Sequence, residues 1–369
     1  MTRPHSRRIS AALLCVILAS LAARAAGAEE QAAPASAGSA AAEPAAPRLQ
    51  FRLFGNIDWL SRRESDPSTF TLGQLDLFAT AELAPSLSAL AEVVLESSPH
   101  GDQQIADVER FQLRYAPTDA IGFSLGRMHT MLGFWNQVYH HGAWLQTTIQ
   151  RPEVYRWEDE AGGFLPVHEV GLRFSGSAST APLRLEYSAT VANGRAARAS
   201  QVALRDANNS KAVDLWLGLE PRAVPALQLG AAAVFDRIPP GDRPGRESEL
   251  SERILGGFVA YQGRRLELLA EAFSVRHEDE PRALVWTSEG LYAQGAVALG
   301  RYKPYYRYDR VRPSTDDPYL DATREIAQHT VGLRIDPWRQ VALKLELAHG
   351  TLAGDEEFNS AAVQAAFTF

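Results

Sequence analysis

Residues 341–349 read Val-Ala-Leu-Lys-Leu-Glu-Leu-Ala-His, with Val341, Leu343, Leu345 and Leu347 on one parity and Lys344 and Glu346 on the other. A period of two is the mark of a strand whose two faces meet different surroundings. A helix would scatter these leucines around its whole circumference. Residues 183–191 repeat the pattern: Leu183, Leu185, Tyr187, Ala189 and Val191 alternate with Arg184, Glu186, Ser188 and Thr190. The stretches around 75–83, 87–95, 111–115 and 213–219 behave in the same way.

Working outward from these, sixteen such segments can be traced, near 49–60, 70–83, 87–97, 107–116, 120–127, 166–175, 183–192, 211–220, 227–236, 253–261, 266–275, 286–298, 302–311, 325–335, 341–349 and 358–369. Their connections fall into two kinds. After even-numbered segments they are tight and turn-like: Ala84-Pro85-Ser86, Pro117-Thr118-Asp119, Pro221-Arg222, Gln262-Gly263-Arg264 and Asp336-Pro337-Trp338. After odd-numbered segments they are longer and polar: 98–106, 193–210, 237–252, 276–285 and 312–324. Short turns at one end and long loops at the other are the pattern of an outer-membrane barrel. The chain from Arg48 allots about 20 residues to each strand with its connection, which fits that architecture.

The faces agree. The apolar parity is Leu, Val and Ala rather than the bulky set that packs two sheets together. The other parity carries Asp76, Glu82, Glu92, Arg110, Arg114, Arg173, Glu186, Lys303, Arg307 and Glu346. A dry interior would need a partner for every one of these charges, whereas a water-filled lumen hydrates them. After the N-terminal block no stretch reaches about 18 uninterrupted apolar residues, so a helical membrane protein is excluded. Trp59, Tyr115, Trp286, Tyr319 and Trp338 fall near strand ends, where interfacial aromatic girdles place such residues.

The N-terminus reads as an export signal. Arg3, Arg7 and Arg8 precede an uncharged apolar run from Ile9 to Ala23, and Ala26-Gly27-Ala28 supplies a small-residue exit. Cleavage near Ala28 removes Cys15, the one cysteine, so no disulfide is expected. It also removes four arginines and no acid, which leaves 33 basic against 44 acidic residues and moves the balance from −7 to −11. No basic patch of the kind that binds nucleic acid occurs. Residues 29–47 form an aperiodic Ala/Pro-rich leader, and residues 48–369 the barrel.

The chain ends Ala365-Ala366-Phe367-Thr368-Phe369, which looks like the C-terminal assembly signal of bacterial outer-membrane barrels. The run Leu125-Gly126-Arg127-Met128-His129-Thr130-Met131-Leu132-Gly133-Phe134 resembles the strand-to-loop passage of the phosphate-selective (O/P-type) porins. Gly290-Leu291-Tyr292-Ala293-Gln294 and Lys303-Pro304-Tyr305-Tyr306-Arg307-Tyr308-Asp309 are similar to the same superfamily. The resemblance implies a homotrimeric sixteen-strand diffusion pore, set among membrane lipid and lipopolysaccharide, for small hydrophilic solutes. It does not extend to phosphate, because the mixed and net acidic charge departs from the arginine- and lysine-rich lumens of those channels.

The longest connection, 128–165, lies between the fifth and sixth segments. Its length marks it as functional or disordered, and its large aromatics, Phe134, Trp135, Tyr139, Trp144, Tyr155 and Trp157 among them, favour a packed loop. The third long loop of porin-like barrels folds inward and narrows the channel. The residues expected at this constriction or on the lumen wall are Arg127, His129, His140, His141, Arg151, Arg156, Glu158, Asp159, Arg110, Arg114, Arg173, Lys303 and Arg307. Arg127, Arg151 and Arg156 facing the acids 158–160 make either a transverse field that orients solutes or a set of fixtures holding the loop. Adjacent His140 and His141 lack ligand spacing, so no metal and no cofactor is assigned. Gly162-Gly163 is followed by no helix start, which rejects nucleotide binding. Two rivals remain. One is a barrel hydrolase using a histidine such as His168 or His349, for which no G-x-S-x-G motif is present. The other is a structural barrel whose lumen is plugged.

Overall fold

The computed structural model describes residues 47–61, 68–97, 104–140, 142–156, 163–201 and 204–369. The proposed signal peptide, all but the last residue of the leader, His141, Trp157, Glu158, Asp159 and Glu160 lie outside the described residues. Among the described residues no helix is long and apolar enough to cross a membrane. Strands do so instead.

Sixteen antiparallel strands follow in chain order: β1 (Arg48–Ser61), β2 (Thr69–Ala84), β3 (Leu87–Ser97), β4 (Gln104–Thr118), β5 (Ile121–His129), β6 (His168–Ser179), β7 (Leu183–Asn193), β8 (Lys211–Pro221), β9 (Leu227–Ile238), β10 (Leu250–Gln262), β11 (Leu266–Asp279), β12 (Leu284–Val297), β13 (Tyr302–Arg312), β14 (Ile326–Trp338), β15 (Val341–Leu352) and β16 (Glu357–Thr368). Each pairs with its sequence neighbours, and β1 pairs with β16 to close the barrel, from Phe54 opposite Thr368 to Ser61 opposite Ala361. The terminal Phe369 exchanges backbone hydrogen bonds with Leu53 at 2.8 and 3.0 Å, so the chain end seals the seam. Closure satisfies every edge, which a lipid environment requires of any spanning strand.

The alternation now has direction. On β15 Leu345 and Leu347 are exposed on the outer face, while Lys344 and Glu346 on the inner face are buried. All ten charged residues expected on the lumen parity share that inner face. Outer leucines need no protein partner if lipid covers them.

Three expectations change. The connection placed at 276–285 shrinks, because β11 and β12 run on into it. A single 3-10 turn (Glu280–Arg282) closes it, with Asp279 accepting from the Arg282 N–H at 3.2 Å and Ala283 at φ 53°. Loops after odd strands are therefore not uniformly long. Asp336 and Pro337 belong to β14, which bulges before Trp338, and the turn falls at 339–340. Of the aromatics assigned to girdles, Tyr115 and Trp338 are exposed on the outside. Tyr319 is instead buried in the β13–β14 loop between the guanidinium groups of Arg195 and Arg246, and Trp286 lies on the inner parity of β12.

Candidate functional site

The segment 130–167 leaves β5 at His129, enters the barrel and returns at His168. Among its described residues a helical turn, α1 (Trp135–Val138), and a 3-10 turn (Glu153–Tyr155) are too short to be stable alone. They are held by packing. Leu132, Phe134, Trp135, Tyr155 and Phe164 form one apolar cluster with the inner-face residues Phe258, Phe273 and Tyr292. Trp135 stacks on Tyr155, with ring centroids 5.3 Å apart.

Polar residues on the arc from β10 to β15 do most of the rest, and Arg195, just after β7, adds contacts to the Phe164 and Gly163 carbonyls at 3.4 and 3.5 Å. Glu271 on β11 accepts from the N–H groups of Phe134 and Trp135, both at 2.8 Å, and from the hydroxyls of Tyr155 and Tyr292, both at 2.7 Å. Burial, reinforced by the Glu271 charge, pushes the Tyr155 hydroxyl well above its ordinary range, so it stays protonated and donates. Gly133 sits at φ 75°, and a Cβ there would lie 1.8 Å from the Glu271 carboxylate, so only glycine lets the loop pass. Further on, Thr147 donates to Glu267 at 2.8 Å, Ile149 N–H to Glu346 at 2.9 Å and Glu153 N–H to Asp309 at 3.0 Å. Lys344 donates to the carbonyls of Ala143 and Thr148, and Arg334 to those of Trp144 and Gln146.

The residues expected at the constriction divide accordingly. Arg307 is fully buried beneath the loop. It donates to Asp309, to the Thr148 hydroxyl and to the carbonyls of Gln150 and Arg151. Lys303 bridges Thr147 and Glu267, both at 2.8 Å. Arg307 is not hydrated by open lumen as expected: the loop covers it, and loop carbonyls and a hydroxyl replace the water, whereas Lys303 keeps 24% of its side chain exposed. Arg151 donates to the carbonyls of Tyr155 and His140 and lies over the Trp135 ring, while Arg156 pairs with Glu153 at 3.8 Å. The structure thus places Arg151 inside the loop rather than across the bore. Arg127 faces Asp107 at 3.4 Å and Glu109 at 3.8 Å.

The opposite arc is mixed: Asp76, Glu92, Glu169 and Asp214 are buried, while some of its charged side chains keep exposure. Arg110 of β4 pairs with Glu92 yet leaves 22% of its side chain exposed, against 0% for Arg307 and 24% for Lys303 on the loop-bearing arc. Arg184 and Glu186 on β7 leave 47% and 28%. Arg114 donates to Ser175 at 3.0 Å, and Arg173 to Thr190 and to the His129 carbonyl.

Sequence reasoning missed Glu267, Glu271, Arg334 and Lys344 as anchors, though their inward parity on the last third of the barrel was the available signal. It also missed a second cluster: His277, buried, bridges Asp317 at 2.7 Å and Glu252 at 2.9 Å, and Glu252 accepts from Arg195 at 2.8 Å. Three histidines converge as well. His129 and His140, both assigned to the loop, meet His168 with their coordinating atoms within 4.8 Å of one another.

No family model and no curated protein matches this chain. Solved structures do. The outer membrane channel DcaP of Acinetobacter baumannii superposes with a TM-score of 0.63 at 11% identity, over 89% of this chain and 99% of that one. The fold is that of the outer-membrane β-barrels. An anion-selective porin from Comamonas acidovorans matches with a TM-score of 0.61 at 10% identity, over 88% and 100% of the two chains. OmpT, an outer membrane protein of Vibrio cholerae solved in a trimer form, matches with a TM-score of 0.60 at 13% identity, over 88% and 100%. The resemblance to porin barrels thus holds for architecture, without singling out the phosphate-selective branch.

Proposed function

We propose that this protein is a passive porin of the bacterial outer membrane, admitting small hydrophilic solutes, anions among them, past a constriction built by residues 130–167. One observation carries the reading: the loop is anchored by buried hydrogen bonds to one arc of the inner wall, while Arg110, Arg184 and Glu186 on the facing arc keep solvent exposure. A plug would bury these three side chains as well. Charged side chains along a partly open bore create the field that steers and orients small ions. Flux follows the solute gradient, and the reading assigns no cofactor and no catalysis. A homotrimer in lipid and lipopolysaccharide, with export by a signal peptide cleaved near Ala28, belongs to the same proposal. The architecture shared with a channel and a porin supports it.

Reconstitution in a planar bilayer tests it. Discrete conductance steps are expected from folded protein. A folded but silent preparation would leave the plugged barrel as the function. Hydrolysis of phospholipid or peptide by pure protein, abolished by one Ser or His substitution, would establish an enzyme instead.

A further inference from the structure

We propose that His129, His140 and His168 form a binding site for one divalent transition-metal ion of the zinc class. This inference stands apart from solute transport. It rests on three elements meeting at a point. His129 ends β5, His168 begins β6, and the two are direct partners in the strand register. His140 follows α1 and comes back from the loop to face both. Ring centroids lie 4.2 Å apart for His129 and His140, 4.7 Å for His140 and His168, and 5.4 Å for His129 and His168. One ring nitrogen from each lies within 4.8 Å of the other two. Nitrogens bound to a tetrahedral zinc at about 2.0–2.1 Å stand roughly 3.3 Å apart, so side-chain rotations of about an ångström close the site.

The surroundings prepare the ligands. Asn136 donates from Nδ2 to the Thr130 carbonyl and hydroxyl and to the Val167 carbonyl, each at 3.1 Å. Its amide is thereby oriented, and Oδ1 accepts from His140 Nδ1 at 2.6 Å. The proton thus sits on Nδ1, and the lone pair of His140 is on Nε2, the tautomer arrangement that metal-bound histidines adopt. A carboxylate stands alongside. Register shifts between Glu92 and Val93 on β3, which pair with Arg110 and Val108, so Glu109 is the extra residue of a β-bulge. The bulge turns Glu109 to the inner face, where its carboxylate lies 2.5 Å from His168 Nε2. It either completes the coordination sphere or holds the His168 ring, and in both roles it offsets the ion's charge. Three imidazoles and a carboxylate suit zinc, nickel or copper over magnesium or calcium. Bound there, the ion would tie α1 to the two strands between which the loop enters and leaves the wall.

The test uses untagged, detergent-folded full-length protein stripped with chelator, then dialysed to equilibrium against Zn2+ or Co2+. About one ion per chain is expected, with Co2+ giving the visible ligand-field absorption of imidazole coordination. His129→Ala, His140→Ala and His168→Ala should each lower the stoichiometry at least tenfold, while His349→Ala leaves it unchanged. Only variants that keep the cold-versus-boiled gel shift of a folded barrel are scored. Wild-type protein binding under a tenth of an ion, or giving no ligand-field band, overturns the site without any variant. Unchanged binding in all three folded variants does the same. Zinc measured by stoichiometry leaves the pore reading untouched, since conductance plays no part in it.

Discussion

Glu271 joins three loop donors to the wall through one carboxylate, and its removal should release the loop while sparing the barrel. In Glu271→Ala the N–H groups of Phe134 and Trp135 and the hydroxyl of Tyr292 lose their acceptor, while the Tyr155 hydroxyl turns to the Leu132 carbonyl at 3.0 Å. A buried donor left unsatisfied costs about 1–3 kcal/mol, and even the lower bound gives roughly 3 kcal/mol for the three. At 1.4 kcal/mol per tenfold, the open fraction of the loop should rise on the order of a hundredfold. The barrel is held by strand pairing and should stay closed, so this is local opening rather than global unfolding. The assay is limited proteolysis of the intact barrel, read as the cleavage rate within residues 130–167 under conditions where opening is fast relative to cleavage. Glu271→Gln should fall between, because one amide oxygen still accepts while its NH2 meets other donors. A cleavage rate in Glu271→Ala within tenfold of wild type would refute the claim that this carboxylate pins the loop.

Deleting residues 131–160 should raise single-channel conductance, because the charges of Arg307, Lys344 and Glu346 would then face water instead of loop carbonyls; unchanged conductance would place the loop outside the ion path. Arg110→Ala with Arg114→Ala should shift the reversal potential in a salt gradient towards cations, whereas Arg151→Ala, tied to loop carbonyls, should raise loop proteolysis and leave reversal potential alone. Equal shifts from both would contradict the division of the wall into open and covered arcs. Gly133→Ala should loosen the loop by about 1–2 kcal/mol from its left-handed backbone alone, more with the overlap on Glu271, and hydrogen exchange across 130–140 would read it.

The period of two decided most of the fold. Every one of the sixteen alternating segments is a strand, since alternation is a local property: each residue's neighbours on the sheet face are set two positions away, whatever the rest of the chain does. The same pattern placed Lys344 and Glu346 inward and Leu345 outward. It could not say what those inner charges meet. That Arg307 lies under loop carbonyls while Arg110 keeps solvent depends on which arc residues 130–167 lean against. That choice is made by the apolar cluster around Trp135 and by Glu271, far apart in sequence.

The histidines show the limit most plainly. His140 and His141 look like a pair in the sequence, yet the partners of His140 are His129 and His168. Their meeting needs the β5–β6 register, the path of the loop back to its own origin and a bulge on β4 that turns Glu109 inward. Sequence alone determined a closed wall with a polar inside and an apolar outside, because that follows from neighbours two residues apart. Where the loop lies, which charges it covers and which histidines it gathers were decided by contacts across the barrel, and no local period records them.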